Sequence, residues 1–312
     1  MRNVLFKKSK NIYKANLHCH TTISDGDFSP EKIKELYVSK GYGIVAFTDH
    51  RILNAHSELN DGSFLAINAC EIDINENLDG KPWRNTKTYH FNLYAVNPEI
   101  TQTPPLPRMN YNDIDAINEY IQNRIDEGFL VCYNHPYWSL QNFTDYGGLK
   151  GLFAMEIYNN GCEVEGYYGY HPQAYDEMLR TGNKLFCVSS DDNHNRHDLN
   201  SSGSDSFGGF IMVNSNSLQY KDVMDALRSG DFYSSQGPEI HEISIENNDL
   251  SVKCSNAGLI VVYTDSRKCY IKRGEAMKEA EFQLTGQDEY IRVMIRGEGN
   301  KDANSNAFWL RS

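Results

Sequence analysis

Short apolar runs that each end in metal-ligand residues are the feature that most constrains the fold of this 312-residue chain. These residues are histidines and carboxylates, and they recur at His18, His20, Asp25, His50, Glu71, His90, His135, Asp192 and His194. A single His-x-His says little, because two residues at i and i+2 of a strand simply share one face. Nine such positions, most of them closing a strand-like segment, indicate a metal site of the kind that α/β barrels build at the carboxyl ends of their strands.

Strand and helix signals alternate through the first two-thirds of the chain. Ser29 and Pro30 predict a helix start, as N-cap and first helical residue, and Gly41 predicts its end. Residues 43–47 are all apolar or glycine and predict a buried parallel strand that leads into Thr48-Asp49-His50. Repeated β-then-α units of this kind predict an α/β fold with a parallel sheet closed as a barrel.

The pattern changes near Gln236-Gly237-Pro238. Beyond it, apolar and polar residues alternate, as in residues 291–296, and few helical segments separate these runs. We therefore expect two domains: a metallohydrolase barrel over residues 1–237 and a small antiparallel β domain over residues 238–312.

Composition and charge exclude several partners and compartments. The net charge of −12 argues against a long nucleic-acid surface or an anionic membrane surface. The seven cysteines include no CxxC pair, and most lie in apolar runs, which favours reduced thiols in the cytosol. The first residues lack the apolar stretch of a signal peptide, and no segment approaches the roughly 20 apolar residues of a membrane span. We expect a cytoplasmic protein that acts on a small molecule.

The chemistry of the nine residues favours transition metals. Imidazole and carboxylate together suit Zn, Mn or Fe, whereas Ca and Mg prefer oxygen ligands alone. Two such metals about 3.5–4 Å apart can share a hydroxide and polarise a phosphoryl oxygen. Glu71 is the best candidate for a bridging carboxylate. The chain contains no GxSxG elbow, no Walker loop and no GxGxxG after a strand that would supply different chemistry.

The order of these motifs resembles the PHP superfamily, named for polymerase and histidinol phosphatase. The resemblance rests on Asn16-Leu17-His18-Cys19-His20, Ser24-Asp25-Gly26, Ala46-Phe47-Thr48-Asp49-His50, Glu71, His90, Asn134-His135-Pro136 and Asp192-x-His194. It covers about residues 14–235, and residues 230–238 resemble a branch that ends in a β domain.

This resemblance implies a distorted (βα)7 barrel with two or three divalent metals at its rim. Three ligand sets are implied: His18, His20, Glu71 and Asp192 for one metal; Glu71, His90 and His135 for the second; Asp25, His50 and His194 for the third. Some family members carry histidine where this chain has Asp25, which leaves the metal open among Zn, Mn and Fe.

Several neighbours of the ligands have two interpretations. Arg51, Arg196 and His197 can clamp an anionic substrate, or they are solvated loop residues at the barrel rim. Asp49 either orients an imidazole or makes an ordinary strand-end hydrogen bond. We expect structural roles for the remaining residues of this kind, namely Cys19, His56, His171, Asp191 and His241.

The expected activity is that of a metal-dependent phosphoesterase. Its substrate would be a small phosphorylated metabolite or nucleotide, attacked by a metal-bridging hydroxide, with Glu71, Asp192 and Asp25 as the catalytic carboxylates. The same centre also suits hydrolysis of an amide, carbamate or ester. A non-enzymatic binding module is the third alternative, which the full set of ligands disfavours.

Overall fold

A computed structural model describes residues 2–76 and 83–311 of the chain. Its strands are β1 (Asn3–Lys7), β2 (Ile12–Asn16), β3 (Tyr42–Phe47), β4 (Leu65–Asn75), β5 (Thr88–Ala95), β6 (Phe129–Tyr133), β7 (Ala154–Asn159), β8 (Phe186–Ser190), β9 (Phe210–Asn214), β10 (Phe232–Ser235), β11 (Ile240–Glu246), β12 (Asp249–Thr264), β13 (Cys269–Gln283), β14 (Tyr290–Arg296), β15 (Asp302–Ser305) and β16 (Phe308–Trp309). The α-helices are α1 (Pro30–Ser39), α2 (Ile114–Asp126), α3 (Phe143–Tyr146), α4 (Asn160–Gly166), α5 (Pro172–Arg180) and α6 (Tyr220–Ser229). Short 3-10 turns cover Ser57–Leu59, Trp83–Asn85 and Glu298–Asn300.

The strands of residues 12–235 form a mixed sheet with the strand order β10-β9-β2-β3-β4-β5-β6-β7-β8. β2, β3 and β4 are parallel to one another, and so are β6, β7 and β8. β5 runs antiparallel to both β4 and β6, and β9 runs antiparallel to β2. The expected α/β class is therefore observed, but the regular (βα)7 barrel is not confirmed. A regular (βα)7 barrel consists of parallel strands joined by crossover helices, whereas antiparallel neighbours such as β4 and β5 need no crossover helix.

Helix α1 begins at Pro30 with Ser29 as its N-cap, as the sequence predicted. Ser29 has extended dihedral angles, and its hydroxyl accepts a hydrogen bond from the Lys32 N–H, as an N-cap does. Ile33 and Tyr37 are fully buried on one face of the helix. The chain then turns at Gly41, whose φ of 79° is one that glycine adopts without a Cβ clash.

Hydrogen bonds beyond the strands join three of the segments that carry the candidate ligands. After β2, the His18 carbonyl accepts from the Asp192 N–H at 2.9 Å, and the His20 N–H donates to the Asn193 carbonyl at 3.1 Å. On its other side, the Cys19 carbonyl accepts from the Thr48 N–H at 2.9 Å. The ends of β2, β3 and β8 thus lie side by side, and they bring residues distant in sequence to one edge.

The strands after Pro238 are antiparallel, as their alternating sequence predicted. Their core includes Ile243, Val252 and Val293. The N-terminal strand β1 also belongs to this part, because it pairs with β11, and Phe6 packs in the same core. The sequence did not predict that β1 pairs with a C-terminal strand. The pairing of β10 with β15 joins these antiparallel strands and the mixed sheet of residues 12–235 into one sheet.

Most cysteines are buried, as their positions in apolar runs predicted. Within the described residues all seven cysteines are free, and six of them are buried, with Cys269 exposed. None of the helices in residues 2–76 and 83–311 has the length and apolar character needed to cross a membrane.

Candidate metal centre

His18 and His20 follow β2 on an extended segment, so their side chains share one face and Cys19 points to the other. Both imidazoles are buried in the polar centre, whereas Cys19 packs with Phe47 and other apolar side chains. The expectation that Cys19 has a packing role is confirmed.

A first group of four side chains converges beside β2. The Nε2 atoms of His18 and His20 lie 3.1 Å apart. Asp192 Oδ1 lies 3.2 Å from the first nitrogen and 3.1 Å from the second. The Glu71 carboxylate approaches the same nitrogens, Oε1 at 3.4 Å from His18 and Oε2 at 3.5 Å from His20. These four are the residues that the sequence resemblance assigned to one metal.

Glu71 connects this group to its neighbours. Its Oε1 faces His90 Nδ1 at 2.9 Å and His135 Nε2 at 3.4 Å, and also accepts from Asn134 Nδ2 at 2.9 Å. Its Oε2 faces His50 Nδ1 at 3.0 Å. The two oxygens therefore point to different histidine groups, which is the arrangement that a bridging carboxylate requires.

The remaining ligand candidates form a third group at the outer side. Asp25 Oδ2 lies 3.4 Å from His194 Nε2, and Asp25 Oδ1 lies 3.7 Å from His50 Nε2. His20 also lies within reach of this group, so it can serve either side.

The structure groups the nine residues somewhat differently from the sequence resemblance. Three sets have ligand atoms close enough for one ion: His18, His20 and Asp192; His18, Glu71 and His135; and His20, Asp25, His50 and His194. His18 thus joins the second set, and His20 joins the third. His90 lies outside these three sets, although its Nδ1 contacts Glu71.

The distances and the donor types fit bound cations. Metal–ligand bonds of about 2.1 Å place neighbouring ligand atoms about 3.0–3.4 Å apart in octahedral or tetrahedral coordination. His18, His20 and Asp192 of the first group have such separations, at 3.1–3.2 Å. The Nδ1 of His20 is buried and has no hydrogen-bond partner among the described residues, an arrangement that is costly without a further ligand or ion. The mixture of imidazole and carboxylate suits Zn, Mn or Fe.

Electrostatics in the cluster favour charged carboxylates. Burial by itself raises the pKa of Glu71, but His90, His18 and His50 together bring this pKa well below its ordinary value. Burial and the charge of His194 lower the pKa of His20 to about 4, so this ring is neutral near pH 7. Burial opposes the charge of His50, yet Glu71 raises the pKa of His50 to about 9.

Three further buried residues, none of them a candidate ligand, hold the candidate ligands in place. Glu156 accepts from His18 Nδ1 at 2.7 Å, Asn134 donates to Glu71, and Asn159 donates to Asp192 Oδ2 at 3.1 Å. A glutamate inside the buried strand β7 was the available signal, because an unpaired buried carboxylate is rare. Asn134 belonged to the Asn134-His135-Pro136 motif, and the sequence left open whether Asn159 lines the pocket or has a core or capping role. Asn159 caps α4 in the structure.

The neighbouring aspartates have structural roles. Asp49 accepts hydrogen bonds from the backbone and hydroxyls of Thr21 and Ser24, so it fixes the loop that leads to Asp25 and does not orient an imidazole. Asp191 accepts from three backbone N–H groups of residues 207–209. The three histidines expected to be structural also lie outside the cluster, with His56 against Phe47, His171 at the start of α5 and His241 beside Glu239.

A cavity of about 440 Å³ opens over the cluster and is lined by all three candidate substrate residues, Arg51, Arg196 and His197. Arg51 donates through Nε and Nη2 to the Asp73 carboxylate at 2.6 and 2.5 Å. Arg196 Nη2 donates to Asp25 Oδ2 at 2.6 Å. Both guanidinium groups are therefore fixed at the cavity wall by carboxylates.

Four residues in and beside the candidate metal centre have strained backbone conformations. Arg51, His135, Asp192 and Asn195 all have positive φ, at 59°, 23°, 52° and 59°. Each such conformation costs a non-glycine residue about 1–3 kcal/mol and persists where the surrounding structure enforces it, as at functional sites.

Comparison with known proteins gives a likeness at the level of the fold. Neither a protein-family model nor a curated protein matches the sequence. A solved two-domain protein from Bacteroides vulgatus ATCC 8482, described as containing a predicted PHP-like metal-dependent phosphoesterase, matches with a TM-score of 0.50 and 14% identity. The match covers 94% of this chain and 93% of that chain. A protein from Bifidobacterium adolescentis ATCC 15703, provisionally described as a metal-dependent phosphoesterase, gives a TM-score of 0.37 at 14% identity, with coverage of 60% and 90%. The first of these matches shows that the chain shares its overall fold with a protein described as PHP-like, which agrees with the resemblance of the motifs.

Proposed function

We propose that this chain is a metal-dependent phosphoesterase that hydrolyses a small phosphorylated metabolite or nucleotide. The observation that carries the proposal is the convergence of His18, His20 and Asp192 at coordination distances, with Glu71 beside both histidines, beneath a cavity that Glu71, Asp192, Arg51 and Arg196 line. The description of the Bacteroides vulgatus protein supports the same class of reaction. The cavity volume of about 440 Å³ suits a small molecule.

The nine candidate ligands would hold two or three ions of Zn, Mn or Fe. Such ions lower the pKa of a coordinated water and polarise a phosphoryl oxygen. In this proposal Glu71 bridges two ligand groups, and Asp192 and Asp25 complete the carboxylate set. All three offset part of the positive charge of the ions.

The cavity residues would bind the phosphate. Arg51 has five N–H donors, and its contact with Asp73 uses two of them, which leaves donors available for an anion. Arg196 and His197 lie on the loop after His194 and also line the cavity, where the Arg196 guanidinium adds positive charge. This field favours a dianionic phosphomonoester over a neutral amide or ester.

We also propose that residues 1–237 and 238–312 act as a catalytic and an accessory domain, with β1 as an N-terminal strand added to the second. The accessory part contains one histidine, His241, and supplies none of the nine candidate ligands.

A substrate panel tests the proposal. Protein loaded separately with Mn, Fe or Zn is given phosphomonoesters, phosphodiesters, amides and carboxylic esters, and product release is measured. We expect phosphomonoesters to react fastest and inorganic phosphate to inhibit competitively. Faster turnover of amides, together with no competition by phosphate, would replace the phosphoesterase by an amide hydrolase.

A further inference from the structure

Glu156 is a buried carboxylate outside the nine candidate ligands, and it contacts the segments that carry three of them. It lies on β7, between β6 and β8, and its side chain is 1% exposed. Its Oε1 accepts from His18 Nδ1 at 2.7 Å and from Ser190 Oγ. Its Oε2 accepts from the His135 backbone N–H at 3.1 Å and from Asn159 Nδ2 at 2.9 Å.

The contact with Glu156 decides which nitrogen of His18 carries the proton. A carboxylate only accepts hydrogen bonds, so Nδ1 of His18 must be the protonated nitrogen. The lone pair is then on Nε2, which is the atom that faces His20, Glu71 and Asp192. A histidine ligand whose second nitrogen is held by a carboxylate is both oriented and made more basic.

Asn159 extends this arrangement to Asp192. Its Oδ1 accepts from the Cys162 N–H at 2.9 Å and thereby caps α4. This cap fixes the orientation of the amide, so Nδ2 must point the other way. There it donates to Glu156 Oε2 at 2.9 Å and to Asp192 Oδ2 at 3.1 Å. The helix cap therefore positions a carboxylate of the metal centre whose backbone has a positive φ of 52°.

We propose that Glu156 and Asn159 are positioning residues of the metal centre, which set the tautomer of His18 and the direction of the Asp192 carboxylate. This inference rests on the proposed function, because it assumes that His18 and Asp192 bind metal. Neither residue belongs to the motif set, and neither lines the cavity. Both act through the residues that they contact.

Glu156→Gln tests the tautomer. The glutamine amide satisfies its neighbours best when its oxygen faces the His135 N–H and Asn159, because both are donors. Its NH2 group then faces His18 Nδ1 and drives the proton to Nε2. We expect 10- to 100-fold weaker binding of Zn alone, measured by competition with a chromophoric chelator, which is the usual range for such positions. Burial lowers the pKa of His18, but Asp192, Glu71 and Glu156 outweigh it and raise this pKa well above its ordinary value, so nitrogen-15 NMR of the metal-free protein is recorded at alkaline pH, where the ring is neutral. It should show the His18 proton moved from Nδ1 to Nε2.

Asn159→Ser tests the second contact. Serine is a favoured N-cap, so α4 keeps its cap, but the shorter side chain cannot reach Glu156 and Asp192. We expect about 10-fold weaker zinc binding, with helix content by circular dichroism unchanged. The matched control for Glu156→Gln is Asp302→Asn, which also changes a buried carboxylate to an amide. Asp302 is 3% exposed and pairs with Arg296, not with any candidate ligand.

The outcomes separate this inference from the proposed function. If the unaltered protein binds zinc and both variants bind it as tightly, with the His18 tautomer unchanged, the positioning role is overturned. If the unaltered protein binds no metal, the proposed function fails, while the NMR signal of His18 still tests the role of Glu156. If Glu156→Gln does not fold, the zinc affinity of Asn159→Ser decides.

Discussion

At the scale of single residues, the site depends on how buried charges neutralise one another. Glu71 is 1% exposed, and its two oxygens face five imidazoles, those of His18, His20, His50, His90 and His135. Such a carboxylate is costly to bury alone. Its position is therefore explained by the cationic groups, imidazolium or metal, that surround it.

Removing one of the central carboxylate charges should impair turnover more than folding. We expect Glu71→Gln and Asp192→Asn each to lower kcat by at least about 100-fold, the usual loss for one key electrostatic group. Steady-state phosphate release and the urea midpoint of each variant are measured together. Glu58→Gln, which alters an exposed carboxylate bonded to His56, is the control. Near-normal turnover in a folded variant would remove that carboxylate from the reaction.

At the scale of elements, the close approach of strand ends explains why certain positions must be glycine. Gly209 lies just before β9, and a Cβ at this position would lie 2.2 Å from the Ser190 carbonyl oxygen of β8. Its N–H also donates to Asp191 Oδ1 at 2.9 Å. The approach of these two segments brings β9 close to the loop that carries Asp192.

Gly209→Ala should therefore destabilise the protein by about 2 kcal/mol or more, since overpacking of this kind costs about 1–3 kcal/mol and the contact here is with backbone. Urea unfolding measures the change in free energy. Gly62→Ala is the matched control, because a Cβ there meets nothing within 4 Å. Equal stabilities for the two variants would contradict the steric explanation.

At the scale of the whole molecule, a buried ion pair joins the two halves. Arg292 on β14 is 1% exposed, and its Nε and Nη2 donate to the Asp176 carboxylate on α5 at 2.6 and 2.7 Å. Its guanidinium also lies 3.9 Å from the centre of the Tyr263 ring. The C-terminal sheet is thus fixed to the helix that precedes β8, which ends near Asp192.

Arg292→Met should destabilise the whole protein by about 3–5 kcal/mol, because Asp176 would be left as an uncompensated charge in a mostly buried position. Arg228→Met at an exposed helical position is the control. In the double variant Arg292→Met with Asp176→Asn, part of the loss should be recovered. Thermal and urea unfolding provide the test, and additive losses in the double variant would show that the pair is not coupled.

Metal removal should also act on the whole molecule, because the nine candidate ligands come from segments 18–25, 50, 71–90, 135 and 192–194. We expect two or three metal ions per chain by elemental analysis and a lower Tm after chelation. A ligand present at 100 times its Kd stabilises the folded state by about 2.7 kcal/mol. Less than one ion per chain, with no gain in Tm on adding Mn, Fe or Zn, would refute the metal centre.

Much of the candidate site could be predicted because its signals are local. His18 and His20 share one face of an extended segment, Ser29 and Pro30 start a helix, and Glu71 interrupts an apolar run. Each of these patterns follows from the period of a strand or helix. The role of Asp49 could not be predicted in this way, because its partners Thr21 and Ser24 are set by how two loops approach each other.

The sequence by itself determined the residue types of the candidate ligands and the antiparallel character of the C-terminal strands, because side-chain chemistry and periodicity are written along the chain. It placed Glu71 and His90 at strand ends, whereas both lie within strands, β4 and β5. Only the tertiary structure decided that β1 joins β11, that β5 runs antiparallel, and that Glu156 and Asn159 hold His18 and Asp192. Those contacts join residues 13 to 242 positions apart. Long-range pairing depends on how whole elements pack, which local propensity does not encode.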